Sequence, residues 1–162
     1  MKKILVVYYS LQGYTREVAK RIAEATNADI FEIEPLKPYS TLSAYTIGIL
    51  HAQTKATPNI KEQVVNLGDY DVIFIGSPIW AFTMAPPVMT FIKQHNLSEK
   101  IVIPFCTHMG NLGKFYEKFS ESCDAKVIIN GNDFHGTNKK DARFLEEKIK
   151  AWINDLNQKI NF

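Results

Sequence analysis

Five short apolar runs, each followed by a turn and an amphipathic or polar stretch, constrain this chain more than any other feature. The first is Ile4 to Tyr9 (ILVVYY), a continuous β-prone run that suits a strand buried on both faces. Ser10 to Tyr14 interrupts it. From Thr15 the period changes: Val18, Ala19, Ile22 and Ala23 recur at helical spacing between Arg16, Glu17, Lys20, Arg21 and Glu24, until Asn27. The alternating Ile30 to Ile33 reads as a second, less buried strand. Val72 to Ile75 is a third, ended by Gly76, Ser77 and Pro78. Ile101 to Phe105 is a fourth and Val127 to Ile129 a fifth. Alternation of this kind predicts an α/β three-layer sandwich, with a parallel sheet between two helical layers.

The remaining helices follow from local signals. Pro86 and Pro87 suit the first turn of a helix that continues through Phe91 and Ile92. Leu112 to Ser122 places Phe115 and Phe119 on one face. Asn138 and Asp141 predict the cap of a long last helix with Phe144, Leu145, Ile149, Trp152, Ile153 and Leu156 inward. Its lysines (Lys139, Lys140, Lys148, Lys150, Lys159), interleaved with Glu146, Glu147 and Asp155, read as a solvated outer face. Asn59 to Asn66 reads as helical. Between Pro35 and Pro58, Leu42, Tyr45, Ile49 and Gln53 suggest a short helix flanked by loop. With 162 residues and no linker or repeat, residues 1–162 are expected to form one domain.

Composition excludes several function classes. The formal charge is +2 and neither half forms a basic or acidic tail, so nucleic acid is not an expected partner. The opening apolar run is too short to span a bilayer, so no membrane association is expected. Cys106 and Cys123 match neither a zinc spacing nor a C-x-x-C pair, which predicts two free structural thiols in a cytoplasmic protein. His51, His95 and His135 are scattered without metal spacing, and no metal is expected. Met84, Met89 and Met109 read as packing residues.

Function is concentrated in three turns. In an open parallel sheet, ligands bind outside the carboxyl ends of the strands. Ser10-Leu11-Gln12-Gly13-Tyr14-Thr15, Ser77-Pro78-Ile79-Trp80-Ala81-Phe82 and Cys106 to Gly113 occupy those positions. None contains Lys, Arg, Asp or Glu, in a chain that is 22% charged. The first matches neither a dinucleotide fingerprint nor a Walker loop. Its hydroxyls and permissive Gly13 at a helix start nevertheless suit a phosphate held by neutral donors. Trp80 is either a packing plug or a stacking platform. Gly110 and Gly113 allow close backbone approach to a ligand, or shape an ordinary strand-to-helix turn.

Together these turns resemble those of the flavodoxin family. Ser10 to Thr15 is similar to the family's phosphate loop, and Gly76-Ser77-Pro78-Ile79-Trp80-Ala81 to its first flavin loop. Tyr70-Asp71 before the third strand and the Pro86-Pro87 pair add to the likeness. The resemblance implies five parallel strands in the order 2-1-3-4-5, the short-chain form of the family, and FMN as cofactor. It implies phosphate contacts from Ser10, Gln12, Gly13, Tyr14 and Thr15. The flavin ring is then expected between Ser77, Pro78, Ile79, Trp80, Ala81 and Phe82 on one side and Thr107, His108, Gly110, Asn111 and Gly113 on the other, with Trp80 stacked on it.

The implied function is electron transfer between a reductase and acceptor proteins, as a monomer or homodimer. An FMN-dependent NAD(P)H oxidoreductase acting on quinones or nitro compounds, and a non-flavin phosphate-ligand domain, are the alternatives. Two departures stand out. The third loop carries His108, Met109 and Asn111 where many members have a tyrosine. The charge of +2 also lacks the acidity of many electron carriers, which implies a less negative potential. His108 is either a group that tunes the flavin by its own protonation or a solvent-facing loop histidine.

Overall fold

The computed structural model describes every residue except 55, 62–65, 130, 137–140 and 162, and the side chain at position 45. Its centre is β1 (Ile4–Tyr8), all five residues of which are buried. β2 (Asp29–Glu32) lies parallel on one side of β1 and β3 (Val72–Trp80) on the other, pairing Val6 with Ile30 and with Phe74. β5 (Ile101–His108) follows β3, and β6 (Val127–Ile128) follows β5. The order β2-β1-β3-β5-β6 is therefore the expected 2-1-3-4-5. The labels differ because β4 (Thr83–Met84) is a short antiparallel return onto β3 outside the main run.

Three strands extend further than their apolar runs. β3 does not end at Gly76. Gly76, Ser77 and Pro78 continue the ladder opposite Phe105, Cys106 and Thr107. Ladder pairing of β3 with β1 ends at Gly76, so at Pro78 the β1 side is an open edge, where a missing N–H is tolerated. Gly76 itself is required, since a Cβ there would lie 2.1 Å from the Phe105 ring. β5 likewise runs on to His108. The fifth strand resumes as β7 (Asn132–His135), parallel to the end of β5. Its sequence, NDFH, has one buried apolar residue, Phe134, so periodicity does not reveal it.

Alternate residues of each strand feed two cores. Ile4, Val6, Tyr8, Phe74 and Phe105 pack against α1 (Tyr14–Thr26) and α6 (Ala142–Ile160). Leu5, Val7, Ile73, Ile75 and Cys106 pack against α4 (Pro86–Gln94) and α5 (Phe115–Ser122). This two-sided demand is why the strands are continuously apolar. Asn27 ends α1 in the left-handed region (φ 50°), and Pro86 and Pro87 open α4 as expected.

Some helical expectations need correction. In α6 the inward stripe is Leu145, Ile149, Trp152, Ile153 and Leu156, whereas Phe144 is exposed because it falls off that spacing. Asp141 caps α6 by accepting from the Phe144 N–H; Asn138, Lys139 and Lys140 lie outside the described residues. Lys150 and Lys159 do sit on a solvated face, paired with Glu146 and Asp155. Lys148 instead turns inward and donates to the Asp133 carbonyl on β7. α5 starts at Phe115, not Leu112, because Gly113 adopts φ +58°. The stretch expected to be helical from Asn59 begins extended: Leu36 N–H donates to Asn59, Lys61 N–H to Glu34, and Ile60 bridges Pro35. Its positions 62–65 lie outside the described residues. Met84 and Met89 are core residues, but Met109 is exposed.

The uncertain stretch after Pro38 is a helical strap. α2 (Thr41–Ser43) leads through one π turn at Ala44–Gly48 into α3 (Ile49–Gln53). Ser40 and Ser43 cap its start reciprocally. Its buried residues are small, Ala44, Gly48 and Ala52, while Leu42, Ile47 and Leu50 are exposed. The short helix expected from Leu42, Tyr45, Ile49 and Gln53 is thus present, as two short helices joined by the π turn. The Trp80 ring occupies the space beneath the strap: a Cβ at Gly48 would lie 2.6 Å from it.

Candidate functional site

A cavity of about 320 Å³ opens at the carboxyl ends of β1, β3 and β5. That volume is at the lower end for small-molecule sites. The turn after β1 forms one wall. Ser10 Oγ accepts from the Gly13 N–H (3.1 Å), and Gly13 holds φ +86° immediately before α1. The first intrahelical bond of α1 runs from Glu17 N–H to Gly13 (3.0 Å), and among the described residues no side chain caps the helix. The amides of Tyr14, Thr15 and Arg16 thus precede the helical ladder, the arrangement that favours an anion. Thr15 is buried, and its hydroxyl meets that of Thr107 at 2.8 Å, tying the turn to β5. Arg16 is paired with Glu32 (2.6 and 2.9 Å), which holds its guanidinium firmly charged, and it does not line the cavity.

The second wall is a hairpin rather than an open loop. Ser77 to Trp80 belong to β3, Ala81 and Phe82 make the turn with φ 46° and 63°, and Thr83 and Met84 return. Ser77 is fully buried. Its hydroxyl accepts from the Ala85 N–H and donates to the Pro78 carbonyl (both 2.8 Å), locking the hairpin to the start of α4. Trp80 meets Tyr9 and Tyr39 edge-on, at centroid distances of 5.7 and 5.2 Å. Burial pushes the Tyr9 and Tyr39 hydroxyls upward, so both rings stay neutral around the indole.

The third wall is the end of β5. Thr107, His108 and Met109 reach the cavity. The His108 side chain is only 8% exposed, so it is not a solvent-facing loop residue; its Nε2 lies 3.0 Å from Asp133 Oδ2 on β7. Gly110, Asn111 and Gly113 fold away from the cavity. Asn111 Oδ1 accepts from the Gly113 N–H (2.7 Å), and a Cβ on Gly113 would lie 2.3 Å from Phe82 Cβ. Gly113 therefore seats this loop on the hairpin turn. Cys106 is buried, which pushes its thiol up to about 12, and no reactive thiolate arises there.

The fold thus gathers Ser10, Gln12, Tyr14, Thr15, Pro78, Ile79, Trp80, Ala81, Thr107 and His108 around one cavity. Gly13 and Ser77 shape its walls without lining it. Phe82, Gly110, Asn111 and Gly113 lie outside its lining. Leu11, Met109, Ala44 and Ile49 line it as well. The first two belong to the turns marked in the sequence. The last two come from the strap, where no local pattern points to a ligand. Among the described residues no group of acids, histidines and cysteines could hold a metal ion, and no helix is long and apolar enough to cross a membrane.

Known proteins share this fold. The flavodoxin family model matches residues 3–156. A candidate flavoprotein from Bacteroides eggerthii is 28% identical, with a TM-score of 0.73 over 95% of this chain and 97% of its own. One from Bacteroides uniformis is 27% identical, with a TM-score of 0.75 over 94% and 98%. A Lactobacillus acidophilus flavoprotein, solved in complex with FMN, shares the fold at 24% identity, with a TM-score of 0.72 over 87% and 98%. With the matched stretch running from the first strand into the last helix, the chain belongs to the flavodoxin family.

Proposed function

We propose that this protein binds FMN in the cavity at the ends of β1, β3 and β5 and passes electrons between a reductase and acceptor proteins. One observation carries the reading: three charge-free segments converge on one cavity that has an uncapped helix N-terminus at one end and Trp80, Ile79 and Pro78 along its side. That donor set suits a ligand with an anionic tail and a flat apolar ring. The FMN complex of the Lactobacillus relative supports the choice of ligand.

Ser10, Gln12, Tyr14 and Thr15, with the amides at the start of α1, would hold the phosphate. Pro78, Ile79, Trp80 and Ala81 would exclude water from one side of the ring, and Thr107 and His108 would face it from β5. Bound FMN supplies the redox chemistry, and the chain supplies position and electrical environment. Charge-poor walls disfavour added negative charge, because burying an unpaired charge is costly. The two buried cysteines are consistent with a reducing, cytoplasmic setting.

The strap supports a second reading. Ala44 and Ile49 line the cavity, and a cover of this kind suits the substrate pocket of a self-contained NAD(P)H oxidoreductase. One preparation separates the two. Titrating the purified protein into FMN should quench flavin fluorescence to a one-to-one endpoint. The holoprotein should then oxidise almost no NAD(P)H in the presence of a quinone until a flavodoxin reductase is added. Rapid turnover by the protein alone would favour the enzyme, and absence of quenching would overturn FMN binding altogether.

A further inference from the structure

His108 closes β5 with two ring nitrogens in different circumstances. Nε2 pairs with Asp133 Oδ2 at 3.0 Å. Nδ1 is buried and has no hydrogen-bond partner among the described residues, although the residue lines the cavity. Leaving a buried polar atom unmatched is destabilising. Nothing in the phosphate or ring contacts proposed above uses it.

The surroundings define what this nitrogen can do. Asp133 lies two residues before His135 on β7, and His135 stands opposite His108 in the ladder, the two rings edge-on at 5.2 Å. The Tyr14 hydroxyl donates to the His135 carbonyl, and Lys148 donates to the Asp133 carbonyl from α6. Beneath them on the α5 side, the Cys106 thiol and the Tyr116 phenol are held protonated by burial. A carboxylate on one ring nitrogen fixes the imidazole and leaves the other to gain or lose a proton. A buried charge needs an opposite charge nearby. Asp133 supplies one such charge at 3.0 Å, and a ligand in this cavity that becomes more negative would add a second.

We propose that His108, positioned by Asp133, is the group that takes up a proton at Nδ1 when FMN in this cavity is reduced. This inference rests on the FMN reading. Two electrons from an external donor, a reductase or a mediator dye, and one solvent proton convert oxidised FMN to its anionic hydroquinone. A second solvent proton forms the Nδ1–H bond of His108, while Nε2–H continues to donate to Asp133. In all, two electrons and two protons enter and nothing leaves.

The test is a spectroelectrochemical titration of FMN-loaded wild type, His108→Gln and Asp133→Asn, from about pH 5 to about pH 9. Protonated His108 favours the reduced cofactor. Wild type should therefore have the higher potential at the acid end, and its gap over His108→Gln should close as pH rises. The limit is a tenfold change in the oxidised-to-reduced ratio per pH unit, about 30 mV per unit for a two-electron couple. Asp133→Asn retains the imidazole and should show the gap only at lower pH. In the wild-type holoprotein, the His108 Cε1–H NMR signal should report a charged ring after reduction over a pH range where it is neutral before.

A gap constant across pH, or a His108 signal unchanged by reduction, would overturn the inference while leaving FMN binding intact. Wild-type protein that quenches no FMN would overturn both. If His108→Gln cannot hold FMN, the comparison of Asp133→Asn with wild type decides: identical pH profiles reject the pair.

Discussion

The turn from Ser10 to Thr15 and the strap from Thr41 to Gln53 border the same cavity but are held in different ways. The turn is anchored by its own backbone, by Ser10 on Gly13, and by the buried Thr15–Thr107 hydroxyl pair. The strap rests on small residues over the Trp80 ring and leaves Leu42, Ile47 and Leu50 outside. One wall is continuous with the sheet; the other is laid against it. The difference predicts that damage to the turn destroys the ligand site, whereas damage to the strap changes its cover.

Gly13→Val should have the largest effect. A β-branched residue at φ +86° costs about 1–2 kcal/mol, or else the turn changes conformation and its amides move. Since 1.4 kcal/mol is tenfold, FMN affinity should fall by about 5- to 30-fold in a fluorescence-quenching titration. Undiminished affinity would mean that the turn is not the anchored wall.

Thr15→Val is next. It leaves the Thr107 hydroxyl without its 2.8 Å partner and should lower the stability of the FMN-free protein by about 1–2 kcal/mol in urea. Adding Thr107→Val replaces both partners with apolar groups of similar shape and should recover most of that loss. FMN affinity should not recover with it, because both residues also line the cavity. Additive losses in the double variant would show that the hydroxyl pair is not the tie between turn and sheet.

The same contrast explains what could be read from the sequence. β1 and α1 were legible because two-sided burial writes an unbroken apolar run and one-sided burial writes a 3.6-residue period. The turn after β1 was legible because its lack of charge and its Gly-x-Thr ending depend on few, local requirements. β7 was hidden because only Phe134 of its four residues is buried, the rest being polar groups near the site. The strap's inner face was hidden for the opposite reason. A helix over a large ring buries Ala44, Gly48 and Ala52 and leaves Leu42, Ile47 and Leu50 exposed, so large apolar side chains do not mark its inner face. His108 stands out in its charge-free turn, but its carboxylate partner lies 25 positions away on a strand that has no sequence signal.

Gly48→Val has the smallest expected effect and tests the weaker wall directly. Gly48 has ordinary helical backbone angles (φ −65°, ψ −42°), so valine there incurs no left-handed strain. It even recovers part of the ~1 kcal/mol by which glycine weakens a helix interior. Against that, its Cβ would lie 2.6 Å from the Trp80 six-membered ring, closer than packed atoms allow. Trp80 is seated between Tyr9 and Tyr39 and belongs to β3, so the strap is the part that must move. Displacing the strap shifts Ala44 and Ile49 off the cavity without breaking the Ser10–Gly13 or Thr15–Thr107 contacts. FMN affinity should therefore fall by less than about tenfold, near 1 kcal/mol, with the unfolding midpoint close to that of wild type. Indole emission should shift to longer wavelength, and the change belongs to Trp80 because Trp152 is buried against the opposite face of the sheet. A loss of affinity as large as that of Gly13→Val would make the strap an equal partner in holding the ligand, and the distinction between the two walls would fail.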